Sequence, residues 1–203
     1  EYGAEVYCLA PKLDQAAIVY NGFYQMITAE PDLASLAKKR RSDIYLKASN
    51  TTIKPLAFNA KKSDGFNPHL TVCDEIASWP AEQGLKQYEV MKSALGARKQ
   101  PMIISISTAG YINDGPYDEL MMRSTAVLLG SSQERRLLPI LYIIDDVAKW
   151  DDINELKKSN PNMGVSVSES FFLEEIAIAR NSASKKAEFL TKYCNIKQSN
   201  TAA

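Results

Sequence analysis

Two adjacent carboxylates, Asp74 and Glu75, directly follow the apolar run Leu70 to Cys73. If this run is a strand of a parallel sheet, both acids lie at its carboxyl end, the edge where open α/β sheets bind their ligands. There, one carboxylate can hold magnesium, directly or through water, while the other orients and deprotonates the water that attacks a γ-phosphate. An ordinary strand-to-loop transition explains the same residues, so the pair alone leaves both interpretations open.

Two hydroxyl side chains, Ser107 and Thr108, follow a second apolar run at 102–106, about 30 residues further along the chain. A strand, a helix and a neighbouring strand would fill that spacing. A hydroxyl at the end of the strand beside the acids can hydrogen-bond the γ-phosphate or the attacking water. A helix N-cap or a turn is the alternative explanation of such a pair. The acids and the hydroxyls together favour phosphate chemistry.

Apolar runs and helical patterns alternate along most of the chain. The runs at 5–10, 70–75, 102–107 and 135–144 are predicted to be buried strands, and helices of 10 to 15 residues lie between several of them. Residues 44–58 predict two short strands with a turn near Ser49 and Asn50. We therefore expect an α/β fold with a mostly parallel sheet flanked by helices.

The pattern changes near residue 147, where we place a subdomain boundary. Residues 1–147 form the predicted α/β core, 148–197 a small helical C-terminal subdomain with Ser168 or Ser170 as an N-cap, and 198–203 a frayed tail. An acidic cluster lies at this boundary. Because acids that end a strand and begin a helix are usually solvated or capping, we assign none of them to metal binding or cleavage: Asp145, Asp146, Asp151 and Asp152.

The amino-acid composition excludes few classes of function or binding partner. Basic and acidic side chains number 24 each in 203 residues, so the net charge gives no argument for a nucleic-acid or membrane partner. Three widely spaced cysteines predict free thiols in a reducing compartment. No apolar run approaches the roughly 18 residues of a membrane span, which predicts a soluble cytoplasmic protein without membrane contact.

Four consecutive cations, Lys38, Lys39, Arg40 and Arg41, follow the helical pattern that begins at Leu33. We expect them at the C-terminus of a short helix, where the helix dipole favours positive charge. Contact with the phosphates of DNA is the alternative.

The amino-acid sequences of several segments resemble those of the ATPase region of the large terminase subunit of tailed bacteriophages or prophages. This subunit is the motor that pumps DNA into a procapsid. The resemblance runs in order from about residue 4 to 197 and rests on four segments: SDGFNPHLTVCDEIASWP, LGARKQPMIISISTAGY, NPNMGVSVS and AEFLTKYCNI. It implies a P-loop NTPase type of fold, ATP and Mg²⁺ as cofactors, and a cytoplasmic place in the bacterial host. It also implies double-stranded DNA, the terminase small subunit and the portal protein as partners of a homo-oligomeric ring.

Carried over to this chain, the resemblance implies that Asp74 is the Walker B acid for magnesium and Glu75 the catalytic glutamate. Ser107 and Thr108 would form the coupling motif that links hydrolysis to movement. Gln15 matches a segment that supports the nucleotide site or lies near DNA in related motors, although a solvent-facing residue of a first helical turn is equally expected. Arg98 is a candidate arginine finger, with Arg123, Arg135 and Arg136 as other options.

One family feature is absent from these residues. None of the nine glycines begins the motif GxxxxGK[ST], whose backbone N–H groups and lysine hold the phosphates of ATP. In the family this P-loop lies upstream of the first strand seen here. We therefore expect the chain alone to bind ATP weakly and to be inactive, and the strands beside the absent one to be left uncovered. The alternative function is a non-catalytic DNA-binding or assembly module derived from a helicase-like ATPase.

Overall fold

The computed structural model describes residues 1–58 and 65–198, which form two compact units, Glu1–Ser107 and the residues from Thr108 onward. The first unit contains a mixed sheet of six described strands, flanked by helices, in the order β2-β3-β4-β1-β5-β6. This confirms the predicted α/β class with a mostly parallel sheet. The strands are β1 Glu5–Ala10, β2 Ala37–Lys39, β3 Ile44–Leu46, β4 Thr51–Ala57, β5 Pro68–Asp74 and β6 Met102–Ile106.

Strand β1 lies inside the sheet and pairs in parallel with β4 on one side and β5 on the other. Its residues alternate between the two faces, so Val6 and Cys8 pack under helix α1 (Leu13–Ala29) together with Tyr20. Helix α3 (Ala81–Ala94) also lies in this unit and ends in a 3₁₀ turn at Leu95–Ala97. The buried strand predicted at 5–10 is confirmed, and helix α1 follows it.

Strands β3 and β4 are antiparallel and form the predicted hairpin, in which Asn50 adopts the left-handed conformation with φ 51°. The prediction for the four cations is wrong, because helix α2 (Pro31–Leu36) ends before them. The next three residues form β2, which pairs antiparallel with β3 at the edge of the sheet. A helix as short as α2 gains few internal hydrogen bonds by continuing. The backbone groups of Ala37–Lys39 form hydrogen bonds with β3 in place of helical ones.

Strand β6 was predicted to be buried, and this prediction is wrong. Within residues 1–58 and 65–198 it pairs with β5 on one side only, and Met102, Ile104 and Ile106 on one of its faces are 39–56% exposed. The predicted strand at 135–144 is also absent among the described residues, and Leu138 and Ile140 are more than 60% exposed. A parallel strand exists only when a neighbour pairs with it, so an apolar sequence alone does not produce one.

The second unit is helical. Its helices are α4 Pro116–Leu128, α5 Ile153–Ser159, α6 Glu169–Arg180 and α7 Ala183–Lys192. Gly130 follows α4 in the left-handed conformation. The Ser168 hydroxyl caps α6 by accepting the Phe171 N–H, as predicted. The core of this unit contains Trp150, Leu156, Phe172 and Phe189. The predicted boundary near 147 and the tail at 198–203 stay predictions, and all but the first residue of that tail lies outside the described residues.

The acidic cluster near residue 147 caps and pairs, as its sequence position predicts. Asp146 and Asp152 accept the backbone N–H groups of Ala148 and Asn154, both at 2.9 Å. The other two carboxylates form ion pairs, Asp145 with Lys158 at 2.7 Å and Asp151 with Arg180 at 2.8 Å.

Glu155 holds the loop before α5 in place. The residue is 6% exposed, and one of its carboxylate oxygens accepts the N–H groups of Asp145 and Asp146 at 2.6 and 3.0 Å. Lys158 donates to the other oxygen at 2.8 Å. The hydrogen bond from Lys158 and those from the backbone lower the pKa of Glu155 from 4.5 to about 2. The carboxylate is therefore a stabilising part of this unit.

Glu155→Gln should lower the midpoint of thermal unfolding of the chain at neutral pH. Because the folded state depresses the pKa of Glu155, its contribution is complete above about pH 4.5 and is lost as the pH falls toward about 2. Melting curves between pH 7 and 2.5 should therefore show the variant and the wild type converging in acid. The exposed Glu174→Gln is the matched control; an equal deficit of Glu155→Gln at every pH would contradict this role.

The three cysteines are free thiols, as predicted, and all three are buried. Burial raises the pKa of the Cys8 thiol to about 12, so it is protonated and unreactive at neutral pH. Among the described residues, no helix combines the length and apolarity that crossing a bilayer requires.

Candidate functional site

A pocket in the first unit lies at the carboxyl end of the parallel strands. It is lined by residues that follow β1, by the start of α1 and by the loop after β5: Ala10, Pro11, Gln15, Ile18, Asp74, Glu75 and Ser78. The register of β1 and β5, which pairs Leu9 with Cys73, brings these strand ends together. Both carboxylates and Gln15 therefore lie around one pocket, at the sheet edge that the sequence predicts.

Strand β5 ends between the two carboxylate residues, Asp74 and Glu75. Asp74 is the last residue of β5, and Glu75 adopts the left-handed conformation with φ 52° and ψ 42°. The Asp74 Oδ1 accepts the Glu75 N–H at 3.0 Å, and the Ser78 hydroxyl donates to the Glu75 carbonyl at 2.8 Å. A left-handed residue other than glycine is uncommon and costs energy, and such strain concentrates at functional sites. We call residues 74–79 the acidic elbow.

Ser107 is connected directly to the acidic elbow. The register of β5 and β6 pairs Asp74 with Ile106, which places Ser107 one residue beyond the elbow's first acid. Its Oγ accepts the N–H of Ala77 at 3.0 Å. A hydroxyl at the end of the neighbouring strand therefore contacts the loop that carries Glu75.

Thr108 begins the second unit, and the residue after it is held there by Asn195. The Asn195 side chain accepts the N–H of Ala109 at 3.3 Å and donates to the carbonyl of Tyr142 at 2.8 Å, while its backbone is left-handed with φ 55°. Neither this asparagine nor Trp79 of the elbow was identified from the sequence. A single asparagine near a helix end gives no signal of a long-range contact.

Arg98 lies at the opposite end of β5 from the carboxylates. Its guanidinium donates to the carbonyls of Gly3, Tyr2 and Asn67, the residue before β5, and its side chain is only 8% exposed. It also forms an ion pair with Glu1 at 3.7 Å. The geometry therefore assigns Arg98 contacts that hold the N-terminal segment, and its assignment as an arginine finger stays a prediction.

The four cations lie on and beside the β2–β3 turn, and all are exposed. We call them the basic hairpin: Lys38, Lys39, Arg40 and Arg41. The Arg40 guanidinium binds both oxygens of Asp43, at 2.6 and 2.7 Å, and lies 4.3 Å from the Tyr45 ring centroid. The Lys39 Nζ lies 4.0 Å from the centroid of Tyr24. The hairpin presents positive charge on strand β2 and on the turn that follows it.

The donor set of the pocket fits magnesium better than zinc. Within residues 1–58 and 65–198, no three His, Cys, Asp or Glu side chains cluster closely enough to hold a metal ion by themselves. Mg²⁺ normally keeps several waters and takes only one or two protein carboxylates together with substrate phosphates. Asp74, with Glu75 beside it, supplies such a donor set.

Comparison with known proteins identifies the family and the fold of this chain. A family model described as "Terminase large subunit, ATPase domain" matches residues 1–125. Protein YmfN of Escherichia coli strain K12 is 36% identical over 136 residues, which cover 67% of this chain and 29% of YmfN. The crystal structure of the HK97 bacteriophage large terminase has the same fold, with a TM-score of 0.80 and 22% identity over 97% of this chain and 40% of that one. The chain thus spans less than half of either protein's length, and it belongs to the family of terminase large subunit ATPase domains.

Proposed function

We propose that this chain forms the acid-bearing part of the ATPase site of a terminase large subunit, which couples ATP hydrolysis to the movement of double-stranded DNA into a procapsid. The observation that carries the proposal is the pocket at the carboxyl edge of β1 and β5, where Asp74, Glu75 and Gln15 lie together. Membership of the family supports ATP as the substrate.

In this proposal the two carboxylates have different tasks. Asp74 would hold Mg²⁺, directly or through water, and bound Mg²⁺ would supply positive charge beside the phosphates. Glu75 orients the attacking water and accepts its proton. Ser107, through its contact with Ala77, connects the strand β6 to the loop that carries Glu75, which supports its place in the coupling motif with Thr108.

The phosphates need a cradle that this chain does not contain, because no GxxxxGK[ST] motif occurs in its sequence. We place that motif on a further strand of the same subunit. The one-sided pairing and exposed apolar face of β6 support an additional strand there, since an unpaired edge of this kind is normally covered.

Isothermal titration of the isolated chain with ATP and Mg²⁺ should therefore give a Kd weaker than about 1 mM. A large subunit that carries this chain together with an upstream phosphate loop should bind ATP tightly under the same conditions and hydrolyse it. Micromolar affinity of the isolated chain would contradict the assignment of the phosphate cradle to another segment.

The proposed setting is the cytoplasm of a bacterial host. There the complete subunit works with the terminase small subunit and the portal protein as a homo-oligomeric ring around double-stranded DNA. Shared family membership supports these partners.

The exposed basic hairpin favours a second candidate function, a non-catalytic module that binds DNA or assembly partners without ATP. Each phosphate contact made by a cation releases counterions, so affinity for DNA then falls steeply with salt. Among the four cations, Arg40 is already paired with Asp43, which leaves the others better placed for phosphate contact.

Reversing the charge of all four hairpin residues to Glu should weaken binding of duplex DNA and reduce the slope of log affinity against log salt by about two to four. The measurement is fluorescence anisotropy of the chain with a labelled duplex, without ATP, at several salt concentrations. Reversal of the exposed Lys86 and Lys157, outside the hairpin, is the control. An unchanged slope would show that the hairpin is only a solvated edge.

A further inference from the structure

Trp79, the last residue of the acidic elbow, is buried although the residues beside it in the sequence, Ser78 and Pro80, are exposed. The side chain is 0% exposed, and its ring packs edge-to-face on Phe58 with centroids 4.7 Å apart. Its indole N–H donates to the carbonyl of Asp74 at 3.0 Å. Trp79 therefore reaches back to the last backbone acceptor of β5, the point at which the chain leaves the sheet.

This hydrogen bond closes a loop that contains Glu75, the residue with the left-handed backbone. The Asp74 carbonyl belongs to the peptide unit that joins Asp74 to Glu75, so a donor bound to it restrains the orientation of that peptide and with it the φ of Glu75. Left-handed backbone is unfavourable for a residue with a Cβ, so the surrounding contacts must hold it. Among the contacts that the described residues make with the elbow, the hydrogen bond from Trp79 comes from a side chain that is anchored by ring packing and fully removed from water.

We propose that Trp79 is the positioning residue of the acidic elbow. Its indole N–H holds the Asp74 carbonyl so that Glu75 stays left-handed and presents its carboxylate to the pocket. This proposal rests on the proposed function for its catalytic meaning, whereas the restraint itself is a property of this chain and can be tested without ATP.

The test is a comparison of two substitutions at position 75 in three backgrounds. Glu75→Gln removes the charge and keeps the Cβ, whereas Glu75→Gly removes both, so the difference between them reports the backbone strain. In the wild-type background Glu75→Gly should melt about 2 °C above Glu75→Gln. The reason is that the strain relieved in the folded state stabilises the chain by more than the added conformational entropy of glycine in the unfolded state destabilises it. Trp150→Phe, in the core of the helical unit, is the control background and should give the same difference.

In the Trp79→Phe background the difference should vanish or change sign, because the elbow relaxes and glycine then contributes only its flexibility. A difference of about 2 °C there as well would overturn the proposal. If Trp79→Phe gives no cooperative unfolding transition, the isostere β-(3-benzothienyl)alanine replaces tryptophan in a Trp150→Phe chain. It keeps the ring shape and removes only the N–H, and the same two outcomes apply.

A second measurement connects the restraint to catalysis. In a large subunit that carries this chain, Trp79→Phe should lower kcat for ATP roughly 10- to 100-fold with KM unchanged, and Trp150→Phe should leave both unchanged. Unchanged kcat in Trp79→Phe would overturn the positioning role. Absence of turnover in the wild-type subunit would instead contradict the proposed function, while the melting comparison would still decide whether Trp79 holds the elbow.

Discussion

Glu75→Gln should reduce ATP turnover by a terminase large subunit that carries this chain about 100- to 10,000-fold, while leaving ATP affinity nearly unchanged. The amide keeps the size and hydrogen-bonding reach of the carboxylate and cannot accept the proton of the attacking water. Glu75 lines the pocket beside Asp74. Because the proposed phosphate cradle lies on another segment, nucleotide binding should persist. Steady-state hydrolysis and equilibrium binding of a fluorescent ATP analogue measure the two quantities.

Glu82→Gln is the matched control for this experiment, because Glu82 is an exposed carboxylate in the first turn of α3, outside the pocket. Its turnover should equal that of the wild type. Wild-type turnover in Glu75→Gln would refute the role of Glu75 as the general base. Equal loss of binding and turnover would show instead that Glu75 holds the nucleotide.

Arg98→Met should lower the stability of the isolated chain by about 2–4 kcal/mol, which corresponds to a fall of roughly 5–10 °C in Tm. The buried guanidinium donates to three backbone carbonyls, those of Tyr2, Gly3 and Asn67, and methionine leaves all three without this donor. A charged hydrogen bond is worth more than a neutral one, and the partners left behind lie in a part-buried site. Thermal melting monitored by circular dichroism measures the effect.

The exposed Arg135→Met provides the control and should melt like the wild type. This pair of variants also separates the two assignments of Arg98. If Arg98→Met keeps its stability in the isolated chain but abolishes turnover of the large subunit, Arg98 is an arginine finger and the structural assignment is wrong. Loss of stability in the isolated chain supports the role that the contacts assign.

The position of the pocket could be predicted because it follows from local features. An apolar run that stops at a carboxylate defines a strand end, and parallel strands bring their carboxyl ends to one edge. The spacing of Asp74 and Ser107 in the sequence was therefore enough to predict that they lie at the ends of neighbouring strands. The caps made by Asp146, Asp152 and Ser168 were equally local, since each accepts an N–H two or three residues further on.

Features that depend on distant partners could not be predicted. An apolar strand looks the same whether or not a neighbour covers it, which is why β6 and the segment 135–144 were wrongly expected to be buried. The donor to the Asp74 carbonyl comes from Trp79 across a turn, and the acceptors of Arg98 lie 95 residues away at Gly3 and 31 away at Asn67. The left-handed Glu75 has no sequence signal, because glutamate is not a residue that favours positive φ.

In the proposed function Asp74 binds the metal and Glu75 activates the water. Metal affinity tests this assignment of separate roles most directly. The measurement is Mn²⁺ binding, followed by electron paramagnetic resonance, to a large subunit that carries this chain and is saturated with a non-hydrolysable ATP analogue. Asp74→Asn should weaken Mn²⁺ binding about 10-fold or more, and Glu75→Gln should leave it unchanged. Equal Mn²⁺ affinity in Asp74→Asn and the wild type would contradict the account.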